Sequence, residues 1–247
     1  MLRSLILLIS LAAVALALAI VAAGPGTRFG LWDYGTGLQI IRTVALPVLI
    51  AAGLSAVGFI ISLFVAREVA LMALLAAVMA GAAGYVPIKM KALFEANPII
   101  HDITTDFDNP PPIIMGASFE RKNPANYVGA EKAPGGETTI AEAQREAFPD
   151  IKPLLLDGSV DVNAEKVRRV IAAMGMVILS DTSSEDGQLI EATYTSAWFG
   201  FVDDFVVRLQ AEDAKTRIDV RSKSRVGLSD LGANARRVQE FVEKLQE

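Results

Sequence analysis

Three long runs without a charged side chain dominate the amino-terminal part of this sequence. They cover residues 4–27, 43–66 and 69–88, and most of their side chains are Leu, Ile, Val and Ala. A helix needs about 20 apolar residues to cross a bilayer, and backbone groups cannot stay unpaired in lipid. We therefore predict three transmembrane helices, at about 4–26, 43–66 and 69–88. The alternative is three buried helices of a soluble core, but apolar helices of this length rarely occur there in threes.

The first run also has features of a cleaved signal peptide, which would end near residues 21–23. Only Arg3 precedes the run, however, and the apolar stretch is longer than the usual length of about 7–15 residues. The two later runs predict residence in a membrane in either case.

The charges that flank the predicted spans bear on the orientation. Arg3 precedes the first span, Arg28 and Arg42 follow it, and Lys89 and Lys91 follow the third. These charges conflict in part, and the first helix usually dominates under the positive-inside rule. We predict a cytoplasmic amino terminus, and three crossings then place the carboxy-terminal domain outside the cytoplasm.

The charge changes sign between a membrane anchor of residues 1–91, with net charge +4, and a soluble domain of residues 92–247, with net charge −9. An acidic domain is poorly suited to nucleic acid. The predicted spans hold no Asp, Glu, Lys, Arg or His, which argues against an ion or proton carrier. The chain has no Cys and a single His, His101, so the usual zinc sites are excluded and a Ser-His-Asp triad would need His101. We expect no metal and no cofactor.

The soluble domain shows helix and strand patterns, most clearly after residue 160. Capping residues and apolar stripes predict a helix that begins at Asn163 and a last helix after Ser229 or Asp230. A capping box predicts a short helix at 140–148. We predict an α+β fold in which an antiparallel four-stranded meander is flanked by helices on one face. The predicted strands, preceded by a short one at 103–107, are 176–180, 189–197, 201–209 and 216–226.

A polar cluster is predicted at the end of this sheet. Arg221, Lys223 and Arg225 alternate along the last strand and so share one face. Pairing about the turn at 212–214 would bring Asp203 and Asp204 near them. Arginines arranged in this way can hold a carboxylate or phosphate, although a solvated face with cross-strand ion pairs has the same pattern. The candidate ligand- or partner-binding residues are Asp203, Asp204, Arg221, Ser222, Ser224, Arg225, Asp230, Asn234 and Arg237.

Trp198, Phe199 and Phe201 flank Gly200 between the second and third strands of the meander. Such a cluster can belong to a core, to a partner-binding edge or to a membrane contact. A core position is favoured, because aromatic side chains dominate cores.

Two stretches of the sequence resemble the family catalogued as domain of unknown function 1499: IEATYTSAWFGFVDDFVVRL and TRIDVRSKSRVGLSDLGANARRVQEF. The earlier run HDITTDFDNPPPI resembles the opening segment of that family, and the similarity covers about residues 98–246. Members are bacterial, with relatives in plastids, and often carry amino-terminal membrane spans. With the predicted spans and orientation, the resemblance implies a bacterial inner membrane, with the carboxy-terminal domain in the periplasm. It implies no settled activity and no catalytic residues.

Three functions remain open on the sequence. The first is a non-enzymatic accessory or assembly factor of a membrane complex, whose domain binds a small anionic ligand or a protein partner. The second is an envelope hydrolase or transferase that uses Asp203, Asp204 or Asp230 as a general acid or base. The third is a purely structural subunit. We favour the first, with the lipid bilayer and other membrane subunits as partners.

Overall fold

The computed structural model describes residues 1–185 and 187–247. Asp186, which the sequence places between the predicted strands 176–180 and 189–197, lies outside the described residues. The chain forms two compact units. A helical unit contains residues 1–92 together with 197–200, and a sheet unit contains residues 93–196 and 201–247.

The helical unit is built on α1 (Leu2–Arg28), α2 (Tyr34–Val65) and α3 (Ala70–Ala96), with a 3-10 turn at Arg67–Val69. All three are long and apolar enough to cross a membrane. The helix α2 begins nine residues before the predicted span, because Asp33 caps it by accepting a hydrogen bond from the Thr36 backbone N–H.

Small side chains line the contact between α1 and α2. Ile6 of α1 lies against Gly58 of α2, and Ala13 and Ala17 belong to the same apolar cluster as Val48. Such side chains let two membrane helices approach closely.

The sheet unit has the α+β fold that the sequence predicts. Its six antiparallel strands lie in the order β1–β6–β5–β4–β3, with β2 also paired to β6. The meander from β3 to β6 is as predicted, whereas the short strand β2 was missed. The bounds are β1 (Asp102–Thr104), α4 (Ile140–Ala147), β2 (Leu154–Asp157), α5 (Val160–Ala173), β3 (Val177–Ser184), β4 (Gly187–Thr195), β5 (Val202–Glu212), β6 (Lys215–Ser224) and α6 (Ala233–Gln246).

Two predicted caps are wrong. The N-cap of α6 is Gly232, and not Ser229 or Asp230. The helix α5 is capped by Ser159, not by Asn163, and begins one turn earlier than the sequence indicated. Asn163 lies inside the helix, where its side chain donates to Thr216 Oγ1 at 3.0 Å and so connects α5 to β6.

Apolar side chains bury one face of the sheet under α5 and α6. Phe205 of β5 and Phe241 of α6 meet edge to face at 5.0 Å between ring centroids. Both are fully buried, as are the neighbouring core residues Val167, Ile171, Ile190, Val207, Leu209, Ile218, Val220 and Val238. This face is an ordinary hydrophobic core.

The opposite face is covered by an irregular stretch between β1 and α4. We call residues 105–128 the cover segment. It has one short 3-10 turn, Gly116–Ser118, and contains the run Pro110-Pro111-Pro112. Because a coil pairs few of its own backbone groups, it needs partners on the sheet.

Candidate functional site

The nine predicted site residues lie on both faces of the sheet. Along β5 and β6 alternate side chains point to opposite sides, so Asp203 and Asp204 cannot share a face. Asp204, Arg221 and Arg225 lie under the cover segment. The others lie on the side of α6: Asp203, Ser222, Ser224, Asp230, Asn234 and Arg237.

Under the cover segment, Asp102 joins two buried cations. Its carboxylate accepts bonds from Arg221 Nε and Nη2, both at 2.9 Å, and forms an ion pair with Lys223 Nζ at 2.9 Å. All three side chains are at most 2% exposed. The fork of Arg221 matches the two carboxylate oxygens, which is the strong geometry for such a pair.

The charged states of this trio follow from burial and pairing. Burial alone would raise the pKa of Asp102, but the bonds and charges of Arg221 and Lys223 outweigh it and lower that pKa below its usual value. Burial lowers the pKa of Lys223, and the neighbouring Asp102 opposes that shift. Asp102 therefore stabilises the charged form of Lys223.

A second carboxylate, Asp204, joins two more arginines. It accepts from Arg225 Nη2 at 2.6 Å and from Arg121 Nη1 at 2.8 Å. The ring of Phe119 covers the Arg225 guanidinium at 4.6 Å from its centroid. Gly116 leaves no space beside this pair, because a Cβ there would stand 2.7 Å from Asp204 Oδ1.

The same cations hold the backbone of the cover segment. Arg221 donates to the carbonyls of Pro111 and Ala125, at 3.3 and 3.0 Å, and Lys223 donates to that of Asn126 at 2.8 Å. These bonds satisfy carbonyls that no strand or helix pairs. Arg221 and Lys223 thus each pair with the Asp102 carboxylate and donate to a carbonyl of the cover segment.

Glu191 of β4 accepts hydrogen bonds from backbone N–H groups of the cover segment. Its carboxylate is 2% exposed and accepts the N–H groups of Ile114, Met115 and Gly116, at 3.0, 2.8 and 3.1 Å. Three backbone dipoles therefore stabilise this buried charge.

Charged side chains continue along β6 towards β2. Asp219 accepts from Arg208 at 2.9 Å and from Arg217 at 3.0 Å, and both arginines also bond to Asp106 of the cover segment at 3.1 Å. We call the whole set the ionic layer: Asp102, Asp106, Arg121, Glu191, Asp204, Arg208, Arg217, Asp219, Arg221, Lys223 and Arg225.

Sequence reasoning missed several members of this layer as site residues, among them Asp102, Arg121 and Glu191. Asp102 lies in the run HDITTDFDNPPPI, whose resemblance to the family's opening segment was the available signal. The signal for Glu191 was weaker: it is an acidic residue within an otherwise apolar predicted strand. Arg121 lies in a coil, where no periodic pattern marks it.

On the side of α6, Arg237 lies at the centre of a separate buried cluster. It donates to Asp203 Oδ2 at 2.8 Å, to Asn234 Oδ1 at 2.6 Å and to Ser222 Oγ at 3.1 Å. The ring of Tyr194 packs on its guanidinium at 4.3 Å. This cluster fixes α6 to β5 and β6.

Asp230 lies two residues before Gly232, the N-cap of α6, where the free backbone N–H groups of a helix start can bind an anion. Its carboxylate accepts the N–H groups of Gly232 and Asn234, both at 2.8 Å. The site is therefore filled by a side chain of the protein itself. Burial raises the pKa of Asp230, and the two backbone bonds oppose that shift.

The arrangement bears on the chemistry that the sequence left open. Asp203 and Asp204, on opposite faces, cannot act together on one substrate. Among residues 1–185 and 187–247, no cluster of three His, Cys, Asp or Glu side chains is placed to hold a metal ion. His101 directs Nδ1 at the Leu228 carbonyl, 3.3 Å away.

Exposed apolar side chains stand on the loops that these polar groups hold in place. Glu191 accepts the backbone N–H groups of Ile114 and Met115, and the Arg225 guanidinium packs on the ring of Phe119. Asn123 donates to the Gly227 carbonyl, next to Leu228, at 2.8 Å. We call them the loop patch: Ile114 (63% exposed), Met115 (43%), Phe119 (42%) and Leu228 (67%).

A family model described as "Protein of unknown function (DUF1499)" matches residues 102–245, which span the sheet unit from β1 almost to the end of α6. No curated protein sequence matches this chain.

Proposed function

This chain belongs to the DUF1499 family of proteins of unknown function, and we propose that it is a membrane-anchored accessory protein of a membrane complex. Its sheet unit would bind a protein partner through the loop patch, on the periplasmic side of a bacterial inner membrane. The observation that carries the proposal is a set of exposed apolar side chains on loops that side-chain hydrogen bonds hold in place.

Rigid loops favour recognition, because a surface that is already ordered loses little conformational entropy on binding. The loop patch combines an aromatic side chain, a methionine and two branched aliphatic ones, of the kinds that supply the centre of protein interfaces. The candidate site residues Asp204, Arg221 and Arg225 would then act by positioning these loops.

The charge of the sheet unit selects among partners. Residues 92–247 carry a net charge of −9, which repels anionic headgroups. It favours a protein whose contact surface is apolar at its centre and basic at its rim.

A small anionic ligand is the other binding hypothesis that the sequence raised. The arginines proposed to hold it already have buried carboxylates: Arg221 pairs with Asp102, Arg225 with Asp204, and Arg237 with Asp203. An incoming anion would have to compete with them, so the geometry favours a protein partner.

The proposal is tested by site-specific photo-crosslinking at Phe119 in native membranes, in the full-length protein. We expect one crosslinked membrane protein, whose yield falls about tenfold in Ile114→Ser and Leu228→Ser, as for loss of an interface anchor. The matched control is Val162→Ser, an apolar side chain 55% exposed on α5. An equal loss in all three variants, or no discrete product, would contradict the proposal.

The anionic ligand is tested separately with inorganic phosphate as the probe. The proposal predicts that phosphate leaves the melting temperature of the detergent-purified protein unchanged. A phosphate-dependent rise that disappears in Arg225→Ala would instead establish an anion site and remove the reason to prefer a protein.

A further inference from the structure

Pro25 leaves a gap in the backbone hydrogen bonds of α1. Proline has no N–H, so the Val21 carbonyl, four residues before it, cannot receive its normal helical bond. An unpaired carbonyl in a membrane span is destabilising unless another group supplies the donor.

Trp198 supplies that donor. Its indole Nε1 donates to the Val21 carbonyl at 3.2 Å. Trp198 lies in the connection between β4 and β5, and residues 197–200 of this connection belong to the helical unit. A loop far away in sequence thus completes the hydrogen bonding of the first span.

Local shape fits the indole to this place. Gly24 lies against the ring, where a Cβ would stand 2.4 Å from Cδ1. The Arg28 side chain donates to the Ala197 carbonyl, and Phe199, 6% exposed, meets the Trp198 ring edge to face at 4.9 Å. Of the three aromatic residues for which the sequence favoured a core position, Phe199 is buried, and it lies in the helical unit.

The other tryptophan of the chain binds α1 in the same way. Trp32 Nε1 donates to the Ala23 carbonyl at 3.1 Å, two residues from Val21. Phe29 and Leu31, in the turn between α1 and α2, are 77% and 73% exposed. Tryptophans with an apolar body and a bonded N–H are typical of the boundary between lipid and water.

We propose that the β4–β5 connection is an interfacial membrane anchor, which Trp198 fastens to α1 at the carbonyl freed by Pro25. Its partner is the headgroup region of the bilayer at the level of Trp32, Phe29 and Leu31. The role is independent of the loop patch.

A double-mutant cycle in lipid nanodiscs tests the fastening. Hydrogen exchange of residues 196–201 is measured in the full-length protein. Trp198→Phe keeps an aromatic side chain but removes the N–H donor, so we expect hydrogen exchange in the loop to accelerate about 2- to 10-fold, as for the loss of one hydrogen bond. In a Pro25→Ala background, residue 25 has a backbone N–H that can donate to the Val21 carbonyl. Trp198→Phe should then change the exchange rate of the loop by less than about 2-fold. If Trp198→Phe changes the exchange rate equally with and without Pro25→Ala, the proposed bond between Trp198 and the carbonyl freed by Pro25 is overturned.

Fluorescence quenching by brominated lipids tests the location. Trp32→Phe leaves Trp198 as the single tryptophan, since the chain has two. We expect the strongest quenching from bromines near the glycerol end of the acyl chains. Maximal quenching from the bilayer centre, or none from any lipid together with full quenching by acrylamide in water, would overturn the interfacial position. Trp198→Phe, with Trp32 alone, provides the reference depth.

Discussion

The two faces of the sheet are buried by different means. Helices α5 and α6 cover one face with apolar side chains such as Val167 and Phe241, and the cover segment lies over the other above the ionic layer. A helix pairs its own backbone groups, so it can rest on an apolar surface. A coil with several prolines cannot, so it must find donors and acceptors in the sheet beneath it.

The difference explains why charged residues occupy the second face. Arg221 and Lys223 supply donors to coil carbonyls, and Glu191 accepts coil N–H groups. Asp102 balances the charges of the two cations, and the backbone N–H groups of the cover segment stabilise the Glu191 carboxylate. Such a surface gains little net energy from burial, but it admits one loop arrangement and penalises others.

The largest expected effect comes from removing the carboxylate that two cations share. Asp102→Ala leaves Arg221 and Lys223 buried without it, and we expect a loss of about 3–5 kcal/mol in the free energy of unfolding. The loss is measured from the urea midpoints of the full-length protein in detergent micelles, with hydrogen exchange in β6 as the probe of unfolding.

Leu209→Ala is the matched control on the helix face. This side chain is fully buried in β5, and its truncation creates an apolar cavity that we expect to cost about 3 kcal/mol. The two variants should differ in where they loosen the structure. Asp102→Ala should speed hydrogen exchange in the cover segment before the helices, and Leu209→Ala should do the reverse. The same exchange pattern in both would break the comparison between the faces.

The next effect depends on pH. The pKa of Asp102 is lower in the folded protein than in the unfolded chain, where it is about 3.9. Its stabilising contribution is therefore present above pH 3.9 and is lost as the pH falls through the folded pKa. We expect Asp102→Asn to be about 2–3 kcal/mol less stable than the unmodified protein at pH 7, and this gap to shrink below about pH 4. Unfolding midpoints measured from pH 7 to pH 3 test this.

Asp230→Asn should show the opposite dependence. Burial raises the folded pKa of Asp230, so its contribution is full below the unfolded pKa and declines as the pH rises through the folded value. The stability gap to the unmodified protein should therefore shrink towards neutral pH. Parallel pH profiles for the two variants would show that one of the two carboxyls does not have the environment described.

Regular elements were the predictable part of this chain. The meander from β3 to β6 and the stripe of α6 follow from alternation and helical spacing, because both patterns reflect which side faces the core. The register was accessible in part. The predicted turn at 212–214 brought Asp203 and Asp204 near Arg221 to Lys223, whereas the structure has a two-residue turn at 213–214 and places Asp204 opposite Lys223. Strand β2 was missed because Leu154, Leu155 and Leu156 form an apolar run without alternation.

The candidate site was predictable only as a set of residue types. Alternation grouped Arg221, Lys223 and Arg225 on one face, and that grouping is present in the structure. It could not indicate that a coil lies over them, because a coil has no period to relate it to a strand. Arg121 illustrates the limit: it reaches Asp204 across 83 positions in the chain.

The smallest expected effect concerns Lys223, and it separates the charge of the layer from its packing. Lys223→Met removes a cation whose burial lowers its pKa, so the cost of desolvating that charge disappears, while Asp102 keeps both bonds from Arg221. The Asn126 carbonyl loses its donor, which offsets the gain. We expect the free energy of unfolding to change by less than about 1 kcal/mol in either direction, measured by the same urea midpoints as for Asp102→Ala. A loss as large as that of Asp102→Ala would mean that the layer depends on every charge, and not on the shared carboxylate.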